Sequence, residues 1–143
     1  QQATQRSSSM QTPAELDTFL QQWTSDPNGC RKVFLQFQSR IQAHSDITMD
    51  FVARPGLTYS LRAARIGQDR PLFVLMDVID EDPRWLSVCF YGDMITDPEE
   101  YGDLVPEGLM GEDGYCFDLE ENDPDLAEYI GKRLDEAYEN ATG

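Results

Sequence analysis

The stretch PLFVLMDVIDEDPRWLSVCFY, residues 71–91, decides the fold. Its first apolar run, at 72–79, has the length of a buried β-strand. Asp-Glu-Asp-Pro at 80–83 is a turn signal, and the segment at 85–91 predicts a second strand directly after it. A connection this short joins antiparallel neighbours. The stretch therefore predicts an antiparallel strand pair at the centre of a sheet.

Further strands are predicted on both sides of this pair. Apolar residues alternate with polar ones at 47–52 and again at 57–63, and Arg-Pro-Gly at 54–56 forms a turn between them. Residues 92–114 contain Pro106 and five glycines, which predicts a long irregular loop, and a short strand follows at 115–119. We therefore expect an antiparallel meander sheet of about five strands.

Helical patterns flank the predicted strands. Thr12-Pro13 precedes a stripe of apolar residues at helical spacing, and a second stripe follows from about 30 to 43. Asn122-Asp123-Pro124 predicts the start of a last helix. The expected fold class is α+β, with the sheet packed against an N-terminal helical hairpin and a C-terminal helix. Residues 1–9 are expected to be a flexible tail or a vector-derived extension, and 10–143 a single domain.

The charge of the chain is concentrated in its second half. The net charge is −16, yet residues 1–70 hold 8 Lys/Arg against 6 Asp/Glu, and residues 71–143 hold 3 against 21. Phosphates repel such a surface, which argues against nucleic acid and against anionic membranes as partners. No apolar run is long enough to span a bilayer, and no secretory signal opens the chain. We expect a cytoplasmic protein.

The three cysteines, Cys30, Cys89 and Cys116, are odd in number and show no CxxC spacing. Reduced thiols in a cytoplasmic protein are the simplest interpretation. Cys89 and Cys116 both lie in predicted strands, so a redox pair between them is the alternative.

The order of elements in the second half also carries a resemblance. A strand at 58–62 precedes the strand pair at 71–76 and 85–91, and a late strand at 114–119 leads into a Pro-capped helix at 125–130. This pattern resembles the small uncharacterised bacterial domains of the YjbR and YdhG-like type. The resemblance implies a bacterial protein with a meander sheet on helices, in a family whose members have been suggested to bind DNA or partner proteins. The acidic loop departs from the family's usual surface, and no catalytic residue is carried over.

Acidic residues in the predicted loop are the candidates for a cation site, because hard cations prefer several oxygen ligands. Their spacing does not match an EF-hand, so a solvated acidic surface is the competing interpretation. No cofactor is expected, since the sequence holds no phosphate-binding glycine loop and only one histidine, His44. The candidate metal ligands are Asp93, Asp97, Glu112 and Asp113.

Aromatic and acidic residues near the same loop predict a binding surface. Tyr and Trp side chains are common anchors in interfaces, and surrounding carboxylates select a basic protein or peptide. The candidate binding residues are Trp85, Tyr91, Tyr101, Asp97, Glu100 and Asp103.

The leading functional hypothesis is a non-enzymatic interaction module that recognises a basic partner by electrostatic steering. One alternative is a small-molecule-binding protein or hydrolase-like enzyme with its site under the 92–114 loop. Another is a DNA-mimic inhibitor of a nucleic-acid enzyme. A homodimer through an exposed strand edge is a further possibility.

Overall fold

A computed structural model describes residues 13–143 of the chain. The predicted tail at 1–9 lies outside these residues, as does Thr12, which was predicted to precede the first helix. The helices are α1 (Ala14–Gln22), α2 (Cys30–Gln42) and α3 (Pro124–Glu139). The strands are β1 (Ile47–Arg54), β2 (Thr58–Arg65), β3 (Val74–Ile79), β4 (Trp85–Tyr91), β5 (Asp103–Leu109) and β6 (Glu112–Leu119), with a 3₁₀ turn at Gly92–Met94.

All six strands form one antiparallel sheet in the order β1-β2-β3-β4-β6-β5. The first four strands follow one another as a meander, and the last hairpin then places β6 beside β4 and leaves β5 at the edge. The α+β fold with an antiparallel sheet, two N-terminal helices and a C-terminal helix is confirmed.

The sheet has a helix-covered face and an open face. On the covered face, Phe19 of α1 stacks on Tyr59 and contacts Phe51, and Tyr129 of α3 contacts Phe117 of β6. Strand burial alternates accordingly, as in β3, where every second residue from Val74 is buried. The open face carries no helix among residues 13–143, and residues 75, 77 and 79 of β3 are only partly buried there.

Local sequence signals explain how the elements begin and turn. Gly56 has a φ of 86°, which the Arg54–Leu57 turn requires, and Leu57 N–H donates to the Arg54 carbonyl at 2.9 Å. Asp123 caps α3 by accepting from the amides of Asp125 and Leu126, each at 3.2 Å.

The predicted irregular loop at 92–114 contains more structure than the sequence suggested. Residues 103–109 form β5, and β6 begins at Glu112, three residues before the predicted start. Pro106 and a positive φ at Glu107 interrupt the alternation that marks a strand, which is why a sixth strand was missed.

The prediction of reduced thiols is wrong for two of the three cysteines. Cys89 and Cys116 lie directly opposite each other on β4 and β6 and form a disulfide, with their Cα atoms 4.1 Å apart. Cys30 is free and buried. No helix within residues 13–143 has the length and hydropathy needed to cross a membrane.

Candidate functional site

The candidate site is an acidic cavity between the 3₁₀ turn and the β5–β6 hairpin, and we call it the Arg70 pocket. Its volume is about 540 Å³. Four carboxylates and one guanidinium line it, which leaves a local charge of −3 (one positive against four negative groups). The lining residues are Arg70, Gly92, Asp93, Leu104, Glu107, Gly111, Glu112, Asp113 and Tyr115.

Arg70 holds the inner wall of the pocket together. Its guanidinium contacts both oxygens of Asp93, at 2.7 and 3.0 Å, and both oxygens of Glu112, at 2.8 and 3.2 Å. Its Cζ lies 4.3 Å from the ring centroid of the fully buried Tyr91. Bidentate pairing on two sides fixes the guanidinium plane, so Arg70 is a rigid part of the wall.

The electrostatics of these groups follow from that pairing. The hydrogen bonds from Arg70 lower the pKa of Asp93, and Asp93 in turn raises the pKa of Arg70. Burial raises the pKa of Tyr91, and the charge of Glu112 raises it further. Asp93 and Arg70 therefore remain ionised throughout the neutral range.

The outer wall offers free carboxylate next to apolar surface. Glu107 forms no ion pair with any residue in 13–143, and its amide donates to Asp113 Oδ1 at 3.0 Å. Leu104, which is 52% exposed, and Tyr115 provide the apolar part of the lining. The outer wall therefore combines negative charge with a surface on which an aliphatic chain can lie.

The four candidate metal ligands do not form a metal site. Asp93 and Glu112 converge on Arg70, whose guanidinium takes the place that a cation would need. Asp97 is hydrogen-bonded elsewhere, in the loop before β5. Within residues 13–143, no group of three or more His, Cys, Asp or Glu side chains is arranged to hold a metal ion.

Three of the six candidate binding residues share one loop. Asp97 accepts hydrogen bonds from the Tyr129 hydroxyl and from the amides of Tyr101 (3.0 Å) and Gly102 (2.9 Å). Burial alone would raise the pKa of Asp97, but these bonds outweigh it and the pKa is lowered. Tyr101 packs edge-on against Tyr129 at 4.8 Å, and Glu100 beside it is exposed. Asp97 therefore fixes the conformation of the loop that leads into β5.

The other three candidate binding residues lie apart from that loop. Trp85 begins β4 on the open face and donates to Glu81 at 2.9 Å. Asp103 begins β5 opposite Cys116, also on the open face. Tyr91 lies beneath Arg70 at the other end of β4. Tyr101 packs on α3, on the covered side, so it does not share a groove with Trp85.

Nucleophilic chemistry of the Cys–His kind has no support among the described residues. His44 stacks on Tyr138 with 3.6 Å between ring centroids. Cys30 is fully buried, and its burial, together with nearby acids such as Asp26, raises the pKa of its thiol to about 11. The thiol is therefore protonated at neutral pH and inert.

Sequence reasoning missed the most important residue of the pocket. Asp93, Glu112 and Asp113 were recognised as acids near one another, but Arg70 was not among the candidate residues. Arg70 lies 42 residues before Glu112, and only the sheet brings them together. The sequence did contain one signal for Arg70. It is a basic residue directly before the second half of the chain, which holds only three Lys/Arg, so the acids there have few other partners.

Comparisons with known proteins add no relative from which a role could be transferred. No protein-family model matches the chain, and searches of curated proteins and of solved structures found no significant match.

Proposed function

We propose that this protein is a non-enzymatic interaction module whose Arg70 pocket accepts a lysine or arginine side chain of a basic protein partner. The observation that carries the proposal is the composition of the pocket: four carboxylates against one guanidinium, next to apolar lining, in a cavity of about 540 Å³. A cationic side chain needs both features, because its charged end seeks carboxylate while its aliphatic stem seeks apolar contact.

The geometry suggests how such a side chain is bound. The stem lies against Leu104 and Tyr115, and the charged end reaches Glu107 and Asp113 at the outer wall. Asp93 and Glu112 already bind Arg70, so they contribute mainly through the field they create. Exposed ion pairs are worth only about 0.2–1 kcal/mol each, so the acidic surface acts chiefly on encounter rate and partner choice.

The same cavity also supports a small-molecule ligand as a second candidate. Its volume falls within the range of roughly 300–1,000 Å³ that is typical of ligand sites. A macromolecular partner is favoured because the pocket is bordered by the exposed strand β5.

The disulfide bears on where the protein works. Disulfides persist in oxidising compartments, whereas the sequence alone predicts the cytoplasm. A cytoplasmic location remains a proposal, and the redox state of Cys89 and Cys116 in freshly lysed cells tests it.

The binding proposal is tested with a matched pair of charge reversals. Glu107→Lys changes the pocket, whereas Glu121→Lys makes the same change of net charge at an exposed site near the far end of β6, about 20 Å away. With a short oligolysine peptide as the probe, we expect Glu107→Lys to weaken binding about tenfold and Glu121→Lys about twofold at most. Equal losses in the two variants would show that the total charge, not the pocket, binds the peptide.

A further inference from the structure

The outer edge of β1 is a regular strand whose backbone is not paired with any other strand among residues 13–143. β1 pairs with β2 without a register shift from Ile47 to Arg54. The Ile66 amide donates to the Asp46 carbonyl at 2.8 Å, so the opposite residues 46 and 66 form a hydrogen-bonded pair. Since antiparallel hydrogen-bonded positions alternate, the even-numbered residues of β1 face β2. The amides and carbonyls of 47, 49, 51 and 53 therefore point outward, and no residue in 13–143 hydrogen-bonds to them.

This edge carries few of the features that usually protect an edge strand from pairing. Natural edge strands are commonly blunted by proline, lysine, a bulge or a very short length. β1 is eight residues long and contains no proline, lysine or bulge, and its two charged residues, Asp50 and Arg54, are of opposite sign. An edge of this kind is a template for another strand.

The open-face side chains of β1 make the edge complementary to itself. Asp50, Val52 and Arg54 follow one another on this face, in the order negative, apolar, positive. Asp50 and Arg54 are exposed and form no ion pair with any described residue. A two-fold axis through Val52 places Asp50 opposite Arg54 of a second copy, and the reverse.

We infer that β1 pairs antiparallel with β1 of a second copy of this chain, centred on Val52. Phe51 and Ala53 then exchange backbone hydrogen bonds with Ala53 and Phe51 of the other copy. A register centred on Asp50 would place like charges opposite each other, which destabilises a sheet. Charge complementarity thus selects the Val52 register.

The distribution of charge also favours a second copy as the occupant. Residues 1–70, which include β1, carry 8 basic against 6 acidic groups, whereas residues 71–143 carry 3 against 21. Pairing through β1 therefore brings together segments from the half of the sequence that carries little net charge, which limits the repulsion between the two copies. Both Arg70 pockets stay outside the paired edge, so this inference does not depend on the proposed function.

A cysteine at the two-fold axis tests the register directly. Val52 would face Val52 of the second copy as a close, non-hydrogen-bonded pair, the arrangement in which Cys89 and Cys116 are bonded with Cα atoms 4.1 Å apart. We expect the full-length Val52→Cys protein to form a disulfide-linked dimer under mild oxidation. Thr48→Cys is the matched control. In the Val52 register, residue 48 lies opposite Gly56 of the second copy, which is in the turn after β1, so no crosslink is expected. Absence of the Val52 crosslink, or equal crosslinking of both variants, overturns the inference.

Charge exchange provides a second and independent readout. Asp50→Arg alone and Arg54→Asp alone should each weaken dimerisation about tenfold or more in sedimentation velocity, because two symmetric ion pairs become repulsive. The double variant restores opposite charges and should return to within about threefold of the unmodified chain. A chain that remains monomeric up to about 1 mM, or a double variant no better than the single ones, contradicts the inference. Both of these results are expected if the β1 edge binds a strand of a different protein instead of a second copy.

Discussion

The two edges of the sheet are built in opposite ways. β1 is continuous over eight residues and lies in the nearly neutral half of the chain. β5 lies in the acidic half and is interrupted where Pro106 precedes Glu107, whose φ is 57°, and the pairing with β6 shifts register there. The difference shows that one edge offers backbone hydrogen bonds, while the other offers side chains.

The backbone of β5 explains why that edge does not accept a strand. Cys89 and Cys116 form a close, non-hydrogen-bonded pair, so the backbone groups of Cys116 face β5, where they meet Asp103. Leu104 then points its amide outward, and the next outward position is Pro106, which has no amide hydrogen. One isolated donor cannot support a ladder. The acidic edge is therefore suited to recognition by the Arg70 pocket.

The largest effect is expected from the disulfide that ties the acidic edge to β4. Its partners are 27 residues apart, and closing a loop of that length in the unfolded chain is worth about 3.5 kcal/mol. The variant Cys89→Ala/Cys116→Ala should lose about that much free energy of unfolding in urea. Amide hydrogen exchange should then show β5 and β6 opening before β1 and β2.

A reductant provides the control for this prediction. The unmodified protein should lose the same stability when the bond is reduced, and the double variant should not respond. If the unmodified protein does not respond either, the two thiols are not bonded in solution.

Asp97 is expected to give the next largest effect, because it anchors the loop that leads into β5. Asp97→Ala removes a charged acceptor of three hydrogen bonds and should lower the free energy of unfolding by about 2 kcal/mol. The pKa of Asp97 is lowered in the folded state, so its stabilisation is present above the unfolded pKa and is lost as pH falls through the folded value. Urea titrations at several pH values measure both effects. The control Glu99→Ala should change stability by less than about 0.5 kcal/mol.

Asp77 should respond in the opposite direction, with a smaller effect. It lies on the open face of β3, where burial raises its pKa, although Ser60 donates to it at 2.5 Å. Stability therefore falls as pH rises from the unfolded pKa through the higher folded pKa, because the folded state resists losing the proton. Asp77→Asn should raise the melting temperature at pH 7 and should flatten this pH dependence. A lower melting temperature at pH 7 would show that the charged form is favoured.

Pro106 should have the smallest effect on stability but a clear effect on association. Pro106→Val supplies the missing outward amide of β5, and the free energy of unfolding should change by about 0.5 kcal/mol or less. In an Asp50→Arg background, which blocks pairing through β1, we expect concentration-dependent association at high salt, where acidic repulsion is screened. If sedimentation shows a monomer at every concentration, proline is not what protects this edge.

Much of the fold could be predicted because each prediction rested on local chemistry. Alternating residues marked β1 and β2, short apolar segments marked β3 and β4, and Asp123-Pro124 marked the start of α3, since capping and strand burial depend on neighbours in sequence. The hairpin of β5 and β6 was harder, because Pro106 and the glycines around it interrupt the strand pattern. The disulfide depended on that hairpin, because Cys116 meets Cys89 only when β6 pairs with β4.

The candidate site was less accessible to sequence reasoning for a related reason. The acids near the pocket were visible as a group, but their partner Arg70 is separated from Asp93 by 23 residues and from Glu112 by 42. Tyr91 was recognised as a surface anchor, yet the Arg70 side chain covers its ring. Contacts of this range depend on sheet order, which single-sequence patterns do not encode.

The most direct test of the different roles of the two edges is a backbone amide NMR titration of the full chain with a short oligolysine peptide. If the acidic edge recognises cations through the Arg70 pocket, saturable shifts should appear at Arg70, at Asp93 and across 104–115, while 47–54 remain unchanged. Shifts on β1, or small uniform shifts over all acidic residues without saturation, would contradict the account.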